Sequence, residues 1–224
     1  MFTAEQIQRF EQEETPFYFY DTALLRQSLA ACMQAAARHG FHIHYALKAN
    51  VNDELLQLIR ESGLGADCVS GGEIRKALEN GFHPDKIVFA GVGKSDREIN
   101  YALDQEIFCF NVESVQELEV VSQLALAKGK TARIALRINP NVNANTHHYI
   151  TTGLEENKFG INSWEFSKVV DMLRSQENIE CIGLHFHIGS QVTDLNAFKS
   201  LCVKVNECTQ WFAGHGIYFR VLNV

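Results

Sequence analysis

Short apolar segments alternate with amphipathic helical segments along this chain, and this alternation restricts its fold more than any other feature. Seven segments predict β-strands, at 42–49, 65–69, 86–90, 107–112, 132–139, 181–188 and 218–223. A helical pattern precedes each of them, at 22–39, 53–62, 72–80, 96–104, 115–128, 164–175 and 195–213. Strands that alternate with helices form parallel β-α-β units with right-handed crossovers. The sequence therefore predicts an α/β fold with a parallel sheet.

Three predicted helices begin with the S-x-x-E pattern of a capping box, at Ser70 and Glu73, Ser95 and Glu98, and Ser114 and Glu117. In this box the hydroxyl and the carboxylate each accept a hydrogen bond from a free backbone N–H group. Each pattern follows a predicted strand, as expected at a β-to-α junction.

Two architectures fit this pattern, a TIM-type (β/α)8 barrel and an open doubly wound sheet. A barrel typically needs about 250 residues, whereas this chain has 224 and ends at the seventh predicted strand. Segment 181–188 places Ile182 with other large apolar residues on one face and His185 and His187 on the other. Strands of a doubly wound sheet are apolar on both faces. We therefore expect a barrel with a polar interior that is truncated before its eighth strand.

The composition excludes several classes of protein. A net charge of −7 argues against a surface for nucleic acid or anionic membranes. No apolar run approaches the roughly 20 residues of a membrane span, and the acidic N-terminus is unlike a targeting peptide. None of the six cysteines forms a C-x-x-C pair, which indicates buried, reduced thiols. We expect a cytoplasmic protein without nucleic-acid or membrane partners.

Lys48, at the end of the first predicted strand, has two interpretations. It is either a charged strand end that reaches solvent or a functional amine on the inward face. In a desolvated barrel mouth, the pKa of a lysine falls and the free amine can form a Schiff base.

His185 and His187 form an H-x-H pair on one strand face. They are either interior histidines, metal ligands, or a ring stacked on a planar cofactor. No nearby carboxylate pair completes a metal site, so none is expected. Gly189 and Ser190 follow directly and could donate hydrogen bonds to a phosphate.

The segment from Gly91 to Ser95, GVGKS, partly matches the sequence pattern of a phosphate-binding loop. The full pattern G-x-x-x-x-G-K-[ST] requires glycine at position 88, where this chain has Val88. A capped helix start explains the segment.

A long connection at 139–163 includes His147 and His148. It is either a lid or binding loop or a solvated insertion.

Five motifs in order resemble one family: TPFYFYD (15–21), YALKAN (45–50), GADCVSGGE (65–73), TTGLEENKFGI (151–161) and HFHIGSQ (185–191). They are similar to the N-terminal barrel of the diaminopimelate decarboxylases. Those enzymes belong to the pyridoxal-phosphate-dependent decarboxylases and racemases with an alanine-racemase-like barrel. The resemblance extends from about residue 15 to the end of the chain.

The resemblance implies a role for five residues. Lys48 would bind pyridoxal 5'-phosphate covalently, and His187 would stack on the pyridine ring, which makes these two the expected catalytic residues. Ser190 would contact the phosphate, and Asp67 and Arg137 would lie near the cofactor and the lysine.

The implied reaction is decarboxylation of meso-2,6-diaminopimelate to L-lysine and CO2 in lysine biosynthesis, by a homodimer. Residues 1–30 would lead into an incomplete barrel at 31–224. The C-terminal β-domain, which supplies a catalytic cysteine in the family, would be absent. We therefore expect the chain to be a fragment that is inactive by itself.

Three alternatives remain open from the sequence. A single-domain pyridoxal-phosphate-homeostasis protein has about this length. Related ornithine, arginine or carboxynorspermidine decarboxylases share YALKAN. A metal-dependent hydrolase barrel would use the H-x-H pair.

Overall fold

A computed structural model of the chain describes residues 2–140, 159–190 and 192–224. The chain divides into two compact units, Met1–Phe41 and His42–Val224. The first unit contains α1 (Ala4–Phe10) and α2 (Thr22–Ala37). Helix α1 is absent from the sequence prediction. It begins with a capping box, in which the side chains of Thr3 and Gln6 each accept a backbone N–H of the other residue.

The second unit contains a sheet of seven parallel strands. These are β1 (His44–Ala46), β2 (Gly65–Cys68), β3 (Ile87–Phe89), β4 (Cys109–Val112), β5 (Ala132–Ile138), β6 (Ile179–Phe186) and β7 (Val221–Asn223). Their order in the sheet is their order in the sequence. A doubly wound sheet reverses its strand order at a switch point, whereas a barrel adds each strand beside the last. The sequential order therefore confirms the predicted barrel type.

In the described parts of the chain, six α-helices connect the strands. They are α3 (Asp53–Glu61), α4 (Gly71–Glu79), α5 (Asp96–Asp104), α6 (Val115–Ala127), α7 (Phe166–Ser175) and α8 (Leu195–Gly214). The sheet face toward these helices forms the apolar core, with Phe89, Leu136 and Leu184 each 0% exposed. Apolar burial of this kind is the main favourable contribution to folding.

The opposite side of the sheet is here called the inner face. Paired residues on neighbouring strands point to the same side of a sheet, so the register defines the members of this face. They include Asp67, Val88, Cys109, Asn111, Ala135, Arg137, Gly183 and His185. Toward the carboxyl ends of the strands, this face carries the polar side chains of Asp67, Asn111, Arg137 and His185.

A register shift in β6 makes one predicted side-chain direction wrong. Ile134 pairs with Cys181, but Ala135 pairs with Gly183, so Ile182 is an extra residue. Such a bulge interrupts the strict alternation of side chains. Ile182 therefore packs with Ala135 and the inner-face cluster, rather than on the helix side with the other large apolar residues.

The three expected capping boxes form in different ways. Ser95 and Glu98 make the complete box. Ser70 and Ser114 also cap their helices. The carboxylates of Glu73 and Glu117, however, accept the N–H one residue earlier, from Val69 and Glu113, each at 2.8 Å.

Lys94 of the GVGKS segment is buried and has no phosphate-binding role in this geometry. Its Nζ donates hydrogen bonds to Gly91 O at 2.7 Å and Asn111 O at 2.9 Å. It also forms an ion pair with Glu117 at 2.7 Å. Ser95 caps α5, which confirms the predicted capped helix start.

Some sequence predictions fall outside the described residues or differ from them. The loop histidines His147 and His148 lie outside the described residues. Cys68, Cys109 and Cys208 are buried, but Cys32 and Cys202 are exposed rather than buried. None of the described helices is long and apolar enough to span a membrane.

Candidate functional site at the carboxyl ends of the strands

Lys48 lies just beyond β1, in a 3-10 turn at Leu47–Ala49. The predicted strand 42–49 is therefore too long, because the chain turns after Ala46. Leu47 is 0% exposed and anchors the turn, whereas Lys48 is exposed. The turn thus holds a free amine at the carboxyl end of the first strand.

Asp67 on β2 is an acidic group on which the charge of Lys48 acts. Burial raises the pKa of its carboxyl to about 6, and the positive charges of Lys48 and Arg137 partly oppose that rise. Its Oδ1 is buried and accepts no hydrogen bond from the residues that the structure describes. A carboxyl group with this pKa exchanges its proton close to neutral pH, as a general base must.

Arg137 on β5 projects from the inner face and forms an ion pair with Glu113. Its guanidinium also lies 5.5 Å from the centre of the Phe159 ring, a cation–π distance. Glu113 was not among the site residues predicted from the sequence. Its position could have pointed to it, because Glu113 directly follows the apolar strand β4 and precedes the cap residue Ser114.

The two histidines of the H-x-H pair differ in environment. His185 is 9% exposed on β6, and burial lowers its pKa to about 3. His187 lies just beyond the end of β6 and is exposed. Partial burial, Arg137 and Lys48 lower the pKa of His187. Both rings are therefore neutral at neutral pH.

Ser190 is exposed in the segment that follows β6. The preceding Gly189 has a φ of +135°, a backbone conformation that favours glycine. This conformation turns the chain at the same end of the sheet that carries Lys48 and His187. The hydroxyl of Ser190 is free to point toward a ligand there.

Several buried polar atoms in this region have no hydrogen-bond partner among the described residues. On the inner face they are Asp67 Oδ1, His185 Nδ1, and both side-chain polar atoms of Asn111, which is 1% exposed. Buried polar groups are normally paired. Unpaired acceptors and donors on one face indicate a place where a polar ligand or water binds. Asn111 was not predicted from the sequence, because it lies between the apolar residues Phe110 and Val112.

The structure thus brings together most of the residues expected to form a site. The charges of Lys48, Asp67, Arg137 and His187 act on one another, and Ser190 lies at the same end of the sheet. Such an arrangement offers an amine nucleophile, a nearby base and a cation for an anionic group. Among the described residues, no group of three His, Cys, Asp or Glu side chains is placed to hold a metal ion.

A surface hollow elsewhere in the second unit includes none of these residues. It lies near the end of β5 and is lined by Trp164, Lys204 and Trp211, among others. Its amine, Lys204 Nζ, is already paired with Glu207 at 2.9 Å, and none of the unpaired buried polar atoms of the described residues belongs to its lining. The chemistry therefore favours the inner face as the functional site.

Comparison with protein families gives one match that covers most of the chain. Residues 23–224 match the pyridoxal-binding domain of the pyridoxal-dependent decarboxylases. A diaminopimelate decarboxylase of Bacteroides thetaiotaomicron is 53% identical over 219 residues, which cover 97% of this chain and 57% of that protein. The Helicobacter pylori diaminopimelate decarboxylase is 43% identical over 224 residues, covering 100% of this chain and 55% of the relative.

A solved structure agrees with these matches. The crystal structure of the Helicobacter pylori diaminopimelate decarboxylase complexed with L-lysine superposes with a TM-score of 0.86 and 40% sequence identity, covering 97% of this chain and 55% of that chain. The chain therefore spans about half the length of the relatives it matches. These findings confirm the resemblance that the motifs indicated and the predicted fold class.

Proposed function

The chain belongs to the pyridoxal-dependent decarboxylases, through the pyridoxal-binding domain of that family, and on this premise we propose that the protein decarboxylates meso-2,6-diaminopimelate to L-lysine and CO2. The relatives that are 43–53% identical carry the name of that activity. The observation that supports the proposal most is the meeting of Lys48, Asp67, Arg137 and His187 at the carboxyl ends of the strands.

The inner face fits pyridoxal 5'-phosphate as a cofactor. That molecule has an aldehyde, a polar aromatic ring and a phosphate dianion. The unpaired atoms of Asp67, Asn111 and His185 suit a ligand with several hydrogen-bonding groups. Lys48 offers an amine for the aldehyde, and Arg137 offers a cation. When bound, pyridoxal phosphate accepts the electron pair left on the substrate's α-carbon as the carboxylate departs.

Lys48 would hold the cofactor through a bond from Nζ, which must first lose a proton. Asp67 Oδ1 is a suitable acceptor for that proton, because its pKa of about 6 leaves the carboxylate mostly ionised at neutral pH. An amine that passes its proton to a neighbouring base becomes a nucleophile. This pair therefore prepares the site for binding.

His187 would orient the cofactor ring. Its lowered pKa keeps the imidazole neutral near pH 7, so a flat, uncharged ring faces the site. Aromatic rings of this kind stack in offset arrangements. Arg137 and the hydroxyl of Ser190 would bind anionic groups, since guanidinium and hydroxyl groups donate hydrogen bonds to phosphate and carboxylate.

We further propose that the protein works in the cytoplasm as a homodimer, as the family resemblance implies. Light scattering on the full-length protein measures its oligomeric state, and a strictly monomeric active enzyme would contradict the dimer.

Borohydride reduction tests the cofactor site. We expect it to fix pyridoxal phosphate to Lys48, as peptide mapping would detect, and to give no labelled peptide in Lys48→Arg. The matched control is Lys86→Arg, because Lys86 lies at the start of β3 and donates to Gly63 O. Labelling at a different lysine would overturn the assignment.

Release of CO2 by the full-length protein tests the substrate. We expect turnover of meso-diaminopimelate to exceed that of ornithine, arginine and carboxynorspermidine. Preference for any of the other three would contradict the proposed substrate while leaving the cofactor site intact.

A further inference from the structure

Glu113 is a buried carboxylate whose two oxygens are both engaged. It directly follows β4 and is 5% exposed. Its Oε1 accepts a hydrogen bond from the Gly91 N–H at 2.7 Å, and its Oε2 forms the ion pair with Arg137. The carboxylate therefore connects the loop after β3 to a charged side chain of β5.

A second ion pair prevents Glu113 from moving. The Glu113 N–H donates to Glu117 Oε2 at 2.8 Å. The other oxygen of Glu117 binds Lys94 Nζ at 2.7 Å, and the Lys94 side chain is 1% exposed. Lys94 also donates to Gly91 O in the loop after β3 and to Asn111 O in β4, so its contacts restrain the backbone on either side of the Glu113 carboxylate.

Arg137 needs such a partner because of where it lies. Its side chain is 12% exposed, and its charge acts on Asp67 and His187. A buried guanidinium without a counter-charge is strongly unfavourable. Without a fixed acceptor, its several N–H groups would also have no defined direction.

We propose that Glu113 is a positioning residue for the cofactor site: it fixes the direction of the Arg137 guanidinium and offsets its charge beside Lys48 and His187. The role of Glu113 toward the cofactor rests on the proposed function. The contacts themselves belong to the protein without cofactor, so they can be tested in that form.

The electrostatics at His187 agree with the geometry. Burial lowers the pKa of this imidazole, Arg137 and Lys48 lower it further, and Glu113 raises it. The carboxylate thus reduces the repulsion that two cations exert on a proton at His187. Loss of the carboxylate should leave that repulsion uncompensated.

The first measurement is NMR of the Arg137 guanidinium in the full-length apoprotein, assigned by the loss of its signal in Arg137→Lys. A guanidinium held by a carboxylate gives separate Nη signals, because its rotation is slow. We expect Glu113→Gln to merge these signals into one. Glu98→Gln is the matched control, since Glu98 accepts a glycine N–H, that of Gly71, at 2.8 Å and has no ion pair with Arg137.

The second measurement is an NMR pH titration of His187 in the same apoproteins. We expect the pKa of His187 to be lower in Glu113→Gln than in the wild type and unchanged in Glu98→Gln. A Glu113→Gln variant with separate Nη signals and an unchanged His187 titration would overturn the proposal. Failure of borohydride to label Lys48 in the wild type would instead contradict the proposed function, so the two are distinguishable.

A variant that does not fold is also informative. If Glu113→Gln fails to fold because Arg137 is left as an unpaired buried charge, removal of both charges should restore folding. We therefore expect Glu113→Gln with Arg137→Gln to fold. A double variant as unstable as the single one would contradict a role exerted through Arg137.

Discussion

Replacement of Lys94 by methionine measures how much stability comes from its buried contacts with the loop after β3, with β4 and with α6. The Lys94 side chain is 1% exposed, and its Nζ donates to Gly91 O, Asn111 O and Glu117 Oε1 at 2.7, 2.9 and 2.7 Å. Methionine has a similar volume but no donor, so Glu117 stays buried without its cation. Loss of one partner of a buried ion pair costs about 3–5 kcal/mol. At roughly 2–4 °C per kcal/mol for a chain of this size, the melting temperature should fall by about 6–20 °C.

Urea-induced unfolding gives the free-energy loss and thermal unfolding gives the melting temperature, both followed by circular dichroism, with Lys128→Met as the matched control. Lys128 also binds a carboxylate, that of Asp104, at 2.7 Å, but its side chain is 27% exposed. Water screens a surface pair of this kind, so its loss should cost much less. Equal losses of stability in the two variants would refute the reasoning that burial makes Lys94 important. The addition of Glu117→Gln should restore part of the stability lost in Lys94→Met, because it removes the unpaired charge.

Two further predictions concern β6. A methyl group at Gly183 would lie 2.3 Å from Val221 O, so Gly183→Ala must separate β6 from β7 and should lower the free energy of unfolding in urea by about 1–3 kcal/mol. Gly214→Ala is the control, because nothing lies within 4 Å of a methyl group there. An unchanged stability of Gly183→Ala would contradict the close approach of the two strands. The pKa of His185 is lowered to about 3 in the folded state from 6.5, so the unfolded chain binds a proton first as the pH falls. The free energy of unfolding should therefore decrease by about 1.4 kcal/mol between pH 7.5 and pH 5.5. The same decrease in His185→Gln would show that another group is responsible.

Local sequence patterns were sufficient to predict most of the fold. The strand and helix segments, the serine caps and the sequential parallel sheet follow from periodicity and from the chemistry of helix starts. Strand ends were less predictable: β1 stops at Ala46, two residues before Lys48, because the chain closes a turn in which the Asn50 N–H donates to Leu47 O. That turn depends on the burial of Leu47, which periodicity does not report.

For the candidate site too, some residues could be predicted from the sequence and others could not. Motif resemblance identified Lys48, Asp67, Arg137, His187 and Ser190, and their roles toward a cofactor stay predictions. Asn111 and Glu113 were missed because each is a single polar residue at the end of an apolar strand. The importance of Glu113 comes from neighbours more than 20 residues away in the sequence, Gly91 and Arg137.

The sequence by itself determined the class of fold, the family and the amine around which the site is built, because these depend on repeating patterns and on residue identity. Only the tertiary structure decided which side chains share an environment. The bulge turned Ile182 to the inner face, and the packing of separate strands placed Glu113 against Arg137. Charge interactions and desolvation depend on distance in space rather than along the chain, so the sequence of a single segment does not predict them.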